Sequence, residues 1–294
     1  MTRTVALAGL VALALGRFGP DGAVQRPIDL EASDCSAIHQ MFGDDRVARA
    51  TRHASIPVGA GPLDLRPDAN GGVRIEHGGG GEYGVTACIA AGAPTLAEAQ
   101  AAADAVTLDI SGARVRVRDA GAGAARNWSV QLIVTAPDGA EITAETSNGP
   151  IGVRDFAGTL DLRASNGPIS LSNVGGSVKA HASNGPISLR GGSGTVDAQT
   201  SNGPIDVRLD GRRWDGHLTA RATNGPLSVS VPPDFQSGVE VSSSVHSPWT
   251  CRAAACTGGA ARDWNDTSRL LRIGSSPVVV EISTVNGPVT VTDR

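Results

Sequence analysis

Residues 147–208 read SNGPIGVRDFAGTLDLRA, SNGPISLSNVGGSVKAHA, SNGPISLRGGSGTVDAQT and SNGPIDVR, one five-residue phrase returning every 18 residues. Asn-Gly-Pro stands at Asn148, Asn166, Asn184, Asn202, Asn224 and Asn286. The first four copies keep the 18-residue spacing, and the last two follow longer gaps. A fixed period of this size marks stacked structural repeats, so it outranks any local motif.

Aligned on the asparagine, the flanking residues alternate with the period of two of a half-buried strand. After the turn, one apolar column is Ile151, Ile169, Ile187, Ile205, Leu227 and Val289, and the next is Val153, Leu171, Leu189, Val207, Val229 and Val291. Before it stand Ile142, Leu160, Val178, Val196, Leu218 and Val280, then Ala144, Leu162, Ala180, Ala198, Ala220 and Ile282. A third column, Thr146, Ala164, Ala182, Thr200, Ala222 and Thr284, is uniformly small. These five columns predict a core that is broad at one wall and narrow beside the turn. The positions between them are polar and belong outside. Asp161, Lys179 and Asp197 are expected to face one another as a cross-strand charge ladder.

Each repeat of roughly 18 residues therefore holds two short strands and two turns. Glycine clusters, such as Gly175-Gly176 and Gly191-Gly192, make the second turn, where positive φ is needed. In the first, proline fixes its own φ and asparagine tolerates left-handed backbone. Because asparagine continues the inward alternation, Asn148, Asn166, Asn184, Asn202, Asn224 and Asn286 are expected to stack as an internal amide ladder. A β-solenoid fits this pattern better than an antiparallel meander, which would need a second layer that the chain has almost no helix to supply. Six-residue steps from Ile169 land on Gly175 and His181, so hexapeptide periodicity is absent.

Outward from this array the pattern loosens. Leu63 to Arg66, Gly72 to Glu76, Val106 to Ile110, Val115 to Arg118 and Val130 to Val134 alternate like strands and read as degenerate early rungs. Thr95-Leu96-Ala97-Glu98 is a capping box opening an alanine-rich helix to about residue 105. Residues 232–277, carrying Cys251, Cys256, Trp249 and Trp264, interrupt the last rung as a C-terminal cap or lateral loop. The expected organisation is a signal peptide over 1–22, irregular rungs with the short helix over 23–134, and the regular array over 135–294.

The leader expectation rests on Met1-Thr-Arg-Thr followed by an apolar run from Val5 to Leu15, too short to span a bilayer comfortably. A buried N-terminal helix is the competing reading. Asp34 before Cys35 spoils the small-residue pattern of a lipidated cysteine, so a soluble exported protein without a transmembrane anchor is expected, periplasmic or at the cell surface. Cys35, Cys88, Cys251 and Cys256 form an even set suited to an oxidising compartment. Of three possible pairings, the economical one joins Cys251 to Cys256 and Cys35 to Cys88. A zinc site lacks the paired CxxC or spaced histidines it would need.

Composition narrows the partners. A net charge of −4 gives no general attraction for nucleic acid or anionic membrane, and four Trp, four Phe and one Tyr leave little material for stacking platforms. No concentrated set of His, Ser, Asp or Cys has nucleophile or metal spacing, so no catalytic residue, metal or cofactor is expected and an interaction module leads. The rival is a carbohydrate-active β-helix enzyme using Arg154, Arg190, Arg208, Asp206 and Asp210 on one outer face, against the plainer reading of a solvated face. His39, His53, His77, His181, His217 and His246 are scattered. Trp214, Trp249 and Trp264 all fall in insertions that could meet at one end, as cap packing or as a binding patch.

The stretch Thr-Ala-Pro-Asp-Gly-Ala-Glu-Ile at 135–142, a Pro-x-Gly entry followed by Ser-Asn-Gly turns, resembles the bacterial "putative adhesin" family of β-strand-repeat domains of unknown function. The similarity runs over about residues 55 to 292 and is strongest from 134 to 231. It implies a right-handed β-helix-like fold in an envelope or surface setting, with an envelope or surface protein or polysaccharide as partner. It carries over no catalytic residue, and the cysteine-bearing insertion departs from the family's plain repeat.

Overall fold

The computed structural model describes residues 34–38, 41–67, 70–78, 80–119, 127–258 and 261–294. The expected leader lies outside them. Among the described residues the fold is all-β, with the ten-residue helix Leu96–Ala105, a one-turn helix at Ala255–Gly258 and 3-10 turns at Cys35–Ala37 and Val58–Ala60. Thr95 caps the helix as the sequence predicts: its hydroxyl accepts from the Glu98 amide at 3.3 Å, and the Glu98 carboxylate accepts from the Thr95 amide at 3.1 Å.

Successive repeats lie on one another in parallel register. Ile169 faces Ile151 on one side and Ile187 on the other, and Val178 faces Leu160 and Val196 likewise. Two ladders result, one of strands that precede the Asn-Gly-Pro corner and one of strands that follow it. All residues of the five expected inward columns are 3% exposed or less. The buried threonines of the small column have a specific task. Thr146 donates to the Gly149 carbonyl at 2.8 Å, Thr200 to Gly185 at 2.9 Å and Thr284 to Gly225 at 2.9 Å. Each satisfies a corner oxygen that the ladders leave over.

The asparagine ladder forms, but outside. Asn166 donates to the Asn148 side-chain oxygen at 3.0 Å, Asn184 to Asn166, Asn202 to Asn184 and Asn224 to Asn202 at 3.1 Å each, and Asn286 to Asn224 at 2.9 Å. All six side chains are exposed. The expectation of an internal ladder fails because the chain turns at the corner, from the serine onward at 147–149, 165–167 and 183–185 and at the glycine of 203, 225 and 287, so that the glycine backbone rather than the asparagine side chain packs on the neighbouring corner. A Cβ on Gly167, Gly185, Gly203, Gly225 or Gly287 would fall on the carbonyl oxygen of the preceding corner glycine. The corners are thus packed backbone on backbone, and only glycine fits. Proline has no N–H, and its carbonyl accepts from the neighbouring rung, as in Ile187 N–H to Pro204 at 3.0 Å. At the second turn, Asp155, Asn173 and Gly191 take φ of 49°, 51° and 60° at one position of three consecutive rungs, all residue types that tolerate left-handed backbone.

The expected charge ladder is in register, Lys179 lying between Asp161 and Asp197. Yet Asp161 pairs with Arg163 at 2.8 Å and Asp197 accepts from Gln199 at 3.0 Å, so each carboxylate is engaged two residues along its own strand.

Spatial order departs from chain order at both ends. Leu63–Arg66 and Gly71–His77 form a rung against residues 141–158, with Asn70-Gly71 as its corner: Asn148 donates to Asn70 at 3.4 Å. Arg114–Asp119 and Asn127–Ala136, later in the chain, stack outside that rung. Beyond them lie antiparallel strands, Val106–Ser111 on one ladder and the long Glu82–Ala93 and Arg46–Pro57 on the other. Val106–Ile110 is therefore an antiparallel edge and not a rung, and the two long strands were not expected at all. At the other end Val278–Asn286 and Val289–Asp293, the last of the chain, lie inside, against residues 216–231. Gly238–Ser244 and Trp249–Cys251 stack outside them, followed by Ser268–Ile273 and Ala261–Trp264.

Candidate functional site

The outermost C-terminal rung keeps the corner grammar with new residues. Pro248 takes the corner proline's place, its carbonyl accepting from Val289 N–H at 2.8 Å. Trp249 then falls in the isoleucine column opposite Val289, and Cys251 in the valine column opposite Val291. An indole in place of isoleucine covers the open end of the core, and its Nε1 donates to Ser243 at 2.7 Å. Cys251 and Cys256 are bonded to each other, as are Cys35 and Cys88.

Trp264 lies over this cap. Its strand, Ala261–Trp264, pairs antiparallel with Ser268–Ile273 through a turn in which Asn265 Oδ1 accepts from the Thr267 and Ser268 amides at 2.9 Å each. The register sets Trp264 opposite Arg269. The two indoles have centroids 6.2 Å apart at 50°, and the Arg269 and Arg262 guanidiniums stand 5.2 and 5.7 Å from the Trp264 ring centre. Trp264 remains 48% exposed, with both guanidiniums against its ring. This is a half-exposed indole with two cations against its ring, suited to an apolar side chain with an anionic neighbour.

Trp214 does not join the pair. It is 5% exposed, packed in the core with its Nε1 donating to the Gly194 carbonyl at 3.0 Å, so it cannot contribute to an exposed patch. The expected three-tryptophan cluster reduces to Trp249 and Trp264, and only Trp264 presents much surface.

The rung-face residues separate into pairs and a row. Asp206 is engaged by Arg208 at 3.0 Å and Asp210 by Arg294 at 3.7 Å. Arg154, Ser172 and Arg190 stand in register on three successive strands. Beside them Gly152, Ser170 and Ser188 floor an open groove of about 290 Å³, which Arg74 also lines. Sequence reading missed Arg74 because Val73-Arg74-Ile75 looks like ordinary alternation, whereas the residue is 4% exposed, with its guanidinium 2.9 Å from Glu76.

Two carboxyls are held below the ordinary aspartate pKa. Burial pushes Asp64 up, but hydrogen bonds and charge from Arg116, and then from Arg66, more than reverse it. Asp138 is lowered by the Ala157 amide and by His77, 3.3 Å away. Burial, with Glu141 nearby, raises the Tyr83 phenol. Among the remaining histidines His217 lies 3.8 Å from Glu281 and His53 3.1 Å from Thr86; His181 and His246 are exposed, and His39 is outside the described residues. Among the described residues, no group of three His, Cys, Asp or Glu is placed to hold a metal ion.

No family model and no curated protein matches the chain by sequence. Solved structures similar to it include a "putative cell adhesion protein" from Clostridium sporogenes, 10% identical, covering 85% of this chain and 100% of that one at a TM-score of 0.32. A "putative adhesin" from Bacteroides fragilis is 8% identical over 84% of this chain and 97% of that one, TM-score 0.36. Another from Parabacteroides merdae is 12% identical over 84% and 96%, TM-score 0.35.

Proposed function

We propose that this chain is an exported, non-catalytic β-solenoid of the right-handed β-helix kind, acting as an adhesin-like interaction module at the cell envelope or surface. The leader at 1–22 directs export, residues 23–134 form the irregular start of the stack, and residues 135–294 form the repeats with their C-terminal cap. The two disulfides support an oxidising compartment. No helix among the described residues is long and apolar enough to cross a membrane. The observation that carries the reading is Trp264, a half-exposed indole backed by Trp249 with Arg262 and Arg269 against its ring, at the end of a stack whose rungs from 141 to 231 expose no Phe, Tyr or Trp side chain. Interfaces concentrate their energy in such aromatic and arginine anchors. The partner is an envelope or surface protein or polysaccharide.

The test compares Trp264→Ala with the double variant Asp206→Asn, Asp210→Asn. Trp264→Ala is expected to keep the melting temperature within about 2 °C while weakening binding to cell-envelope material at least about tenfold. Turnover of a polysaccharide panel by the unmodified protein, abolished in the aspartate variant, would replace this reading with the carbohydrate-active enzyme.

A further inference from the structure

We propose a second site, separate from the tryptophan end: the groove on the outer face of the post-corner ladder takes an extended acidic polysaccharide, with Arg154 and Arg190 gripping its anionic groups. The parallel register places Gly152, Ser170 and Ser188 in one row and Arg154, Ser172 and Arg190 in the next. The glycine removes a side chain from its row, so the floor sinks where Arg74, opposite Gly152, closes one end. Ser170 and Ser188 share a hydrogen bond at 2.7 Å, presenting hydroxyls along the floor. Hydroxyls that exchange partners readily, beside guanidiniums that bind carboxylate or sulfate bidentately, are the chemistry of an acidic sugar chain.

The groove runs across the strands, along the stacking direction. Arg154 and Arg190 are separated by two strand spacings, about 9.6 Å. A linear polymer lying along this axis would meet a cation at intervals suited to one anionic group on every second sugar. Carboxylates that could compete on the following rungs are engaged, Asp206 by Arg208 and Asp210 by Arg294. Glu76 pairs with Arg74 at 2.9 Å and stands in register opposite Arg154, so it neutralises part of the charge at that end of the groove and leaves Arg190 as the stronger cation. Arg190 itself is exposed and has no carboxylate within ion-pairing distance among the described residues. No aromatic ring lines the groove, which disfavours a single-stranded nucleic acid that would stack its bases.

The probe is a hyaluronan oligosaccharide, which carries a carboxylate on alternate sugars, titrated calorimetrically against the full chain at low salt. Neutral dextran and a single-stranded oligonucleotide of similar length are the comparison ligands. The protein is expected to bind hyaluronan, and binding should weaken as salt rises. It should fall about tenfold in Arg190→Gln and further in the double variant Arg154→Gln, Arg190→Gln. The double variant Arg163→Gln, Arg221→Gln, which removes equal charge from the other ladder, and Trp264→Ala should bind as the parent does. Unchanged affinity in Arg190→Gln, absent hyaluronan binding, equal binding of dextran, preference for the oligonucleotide, or equal loss in the Arg163/Arg221 variant would each overturn the groove site. Loss in Trp264→Ala alone would place polysaccharide binding at the tryptophan end and also overturn it, leaving the proposed function intact.

Discussion

In the central repeats, residues 141–208, neighbours in sequence are neighbours in space, each strand lying on the one 18 residues before it. At the two ends this correspondence breaks. The first rung, 63–77, and the last, 278–293, are held inside, while 114–136, later in the chain, covers the first and 238–251, earlier in the chain, covers the last. The centre shows how a period supplies register. The ends show how a repeat can be stopped: three of the four ladder ends finish in antiparallel strands, and at the fourth, Trp249–Cys251, an indole replaces isoleucine over the core. At those three ends the antiparallel additions cover the terminal parallel strands.

The largest effect should come from charging the centre. Ile187→Asp places a carboxylate among side chains at most 3% exposed and is expected to cost about 3–5 kcal/mol in urea unfolding. Ser188→Asp, one position on and outward, should stay within about 1 kcal/mol. Equal midpoints for the two would refute the facing of the columns.

The corner glycines test whether centre and end are built alike. Gly185→Ala and Gly287→Ala each drive a methyl into the carbonyl oxygen of the glycine below, and each should cost about 2–3 kcal/mol. Gly80, with nothing within 4 Å of an added Cβ, should accept alanine within about 0.5 kcal/mol. If Gly287→Ala proves as mild as Gly80→Ala, the last rung is not seated on the array.

The amide file has a direction, so its centre and start should respond differently. Asn184 both donates and accepts, and Asn184→Asp loses the donor and sets a carboxylate against the Asn166 oxygen, for about 1 kcal/mol at neutral pH. Asn70 serves in the file as the acceptor for Asn148, and Asn70→Asp keeps that role within a few tenths of a kcal/mol. Comparable losses would mean the file is not directional.

The smallest effect concerns Asp64 in the first rung. Its folded pKa lies below the unfolded value near about 3.9, so its contribution is present above that pH and is lost as pH falls through the folded pKa. Asp64→Asn should therefore lower stability by under about 1 kcal/mol at pH 7, and the gap to the parent should close toward about pH 2. A gap unchanged across that range would contradict the Arg116 and Arg66 pairing.

The core was legible because alternation can be counted from a fixed asparagine, and all five columns are buried. The helix was legible from Thr95 and Glu98. The outward turn of Asn148 was not, since alternation holds only while the strand continues and nothing local announces the bend. Asn70-Gly71 lacks the proline that would have flagged it as a corner. Chain order at the ends was equally hidden, because a parallel strand's pattern does not say which neighbour it meets. Trp249 could have been placed from Ser247-Pro248-Trp249-Thr250-Cys251, which copies Gly-Pro-Ile-x-Val; its Pro248 was the available signal. For the site, the 36-residue separation of Arg154 and Arg190 was readable, whereas the groove depends on Gly152 lying beside Arg74 across strands far apart in sequence.

The stacking order at the C-terminal end is tested most directly by paired cysteines on the outer face, oxidised and located by peptide mass spectrometry in the chain with its native disulfides intact. Thr290 lies in register between Ser228 and Thr250. Ser228→Cys with Thr290→Cys, and Thr250→Cys with Thr290→Cys, should each cross-link, because adjacent strands bring their Cα atoms within disulfide reach. Ser228→Cys with Thr250→Cys spans two strand spacings, about 9.6 Å, and should remain reduced. A bond in that third pair, with none to Thr290, would mean that rungs stack in chain order to the end and would contradict the inserted last rung.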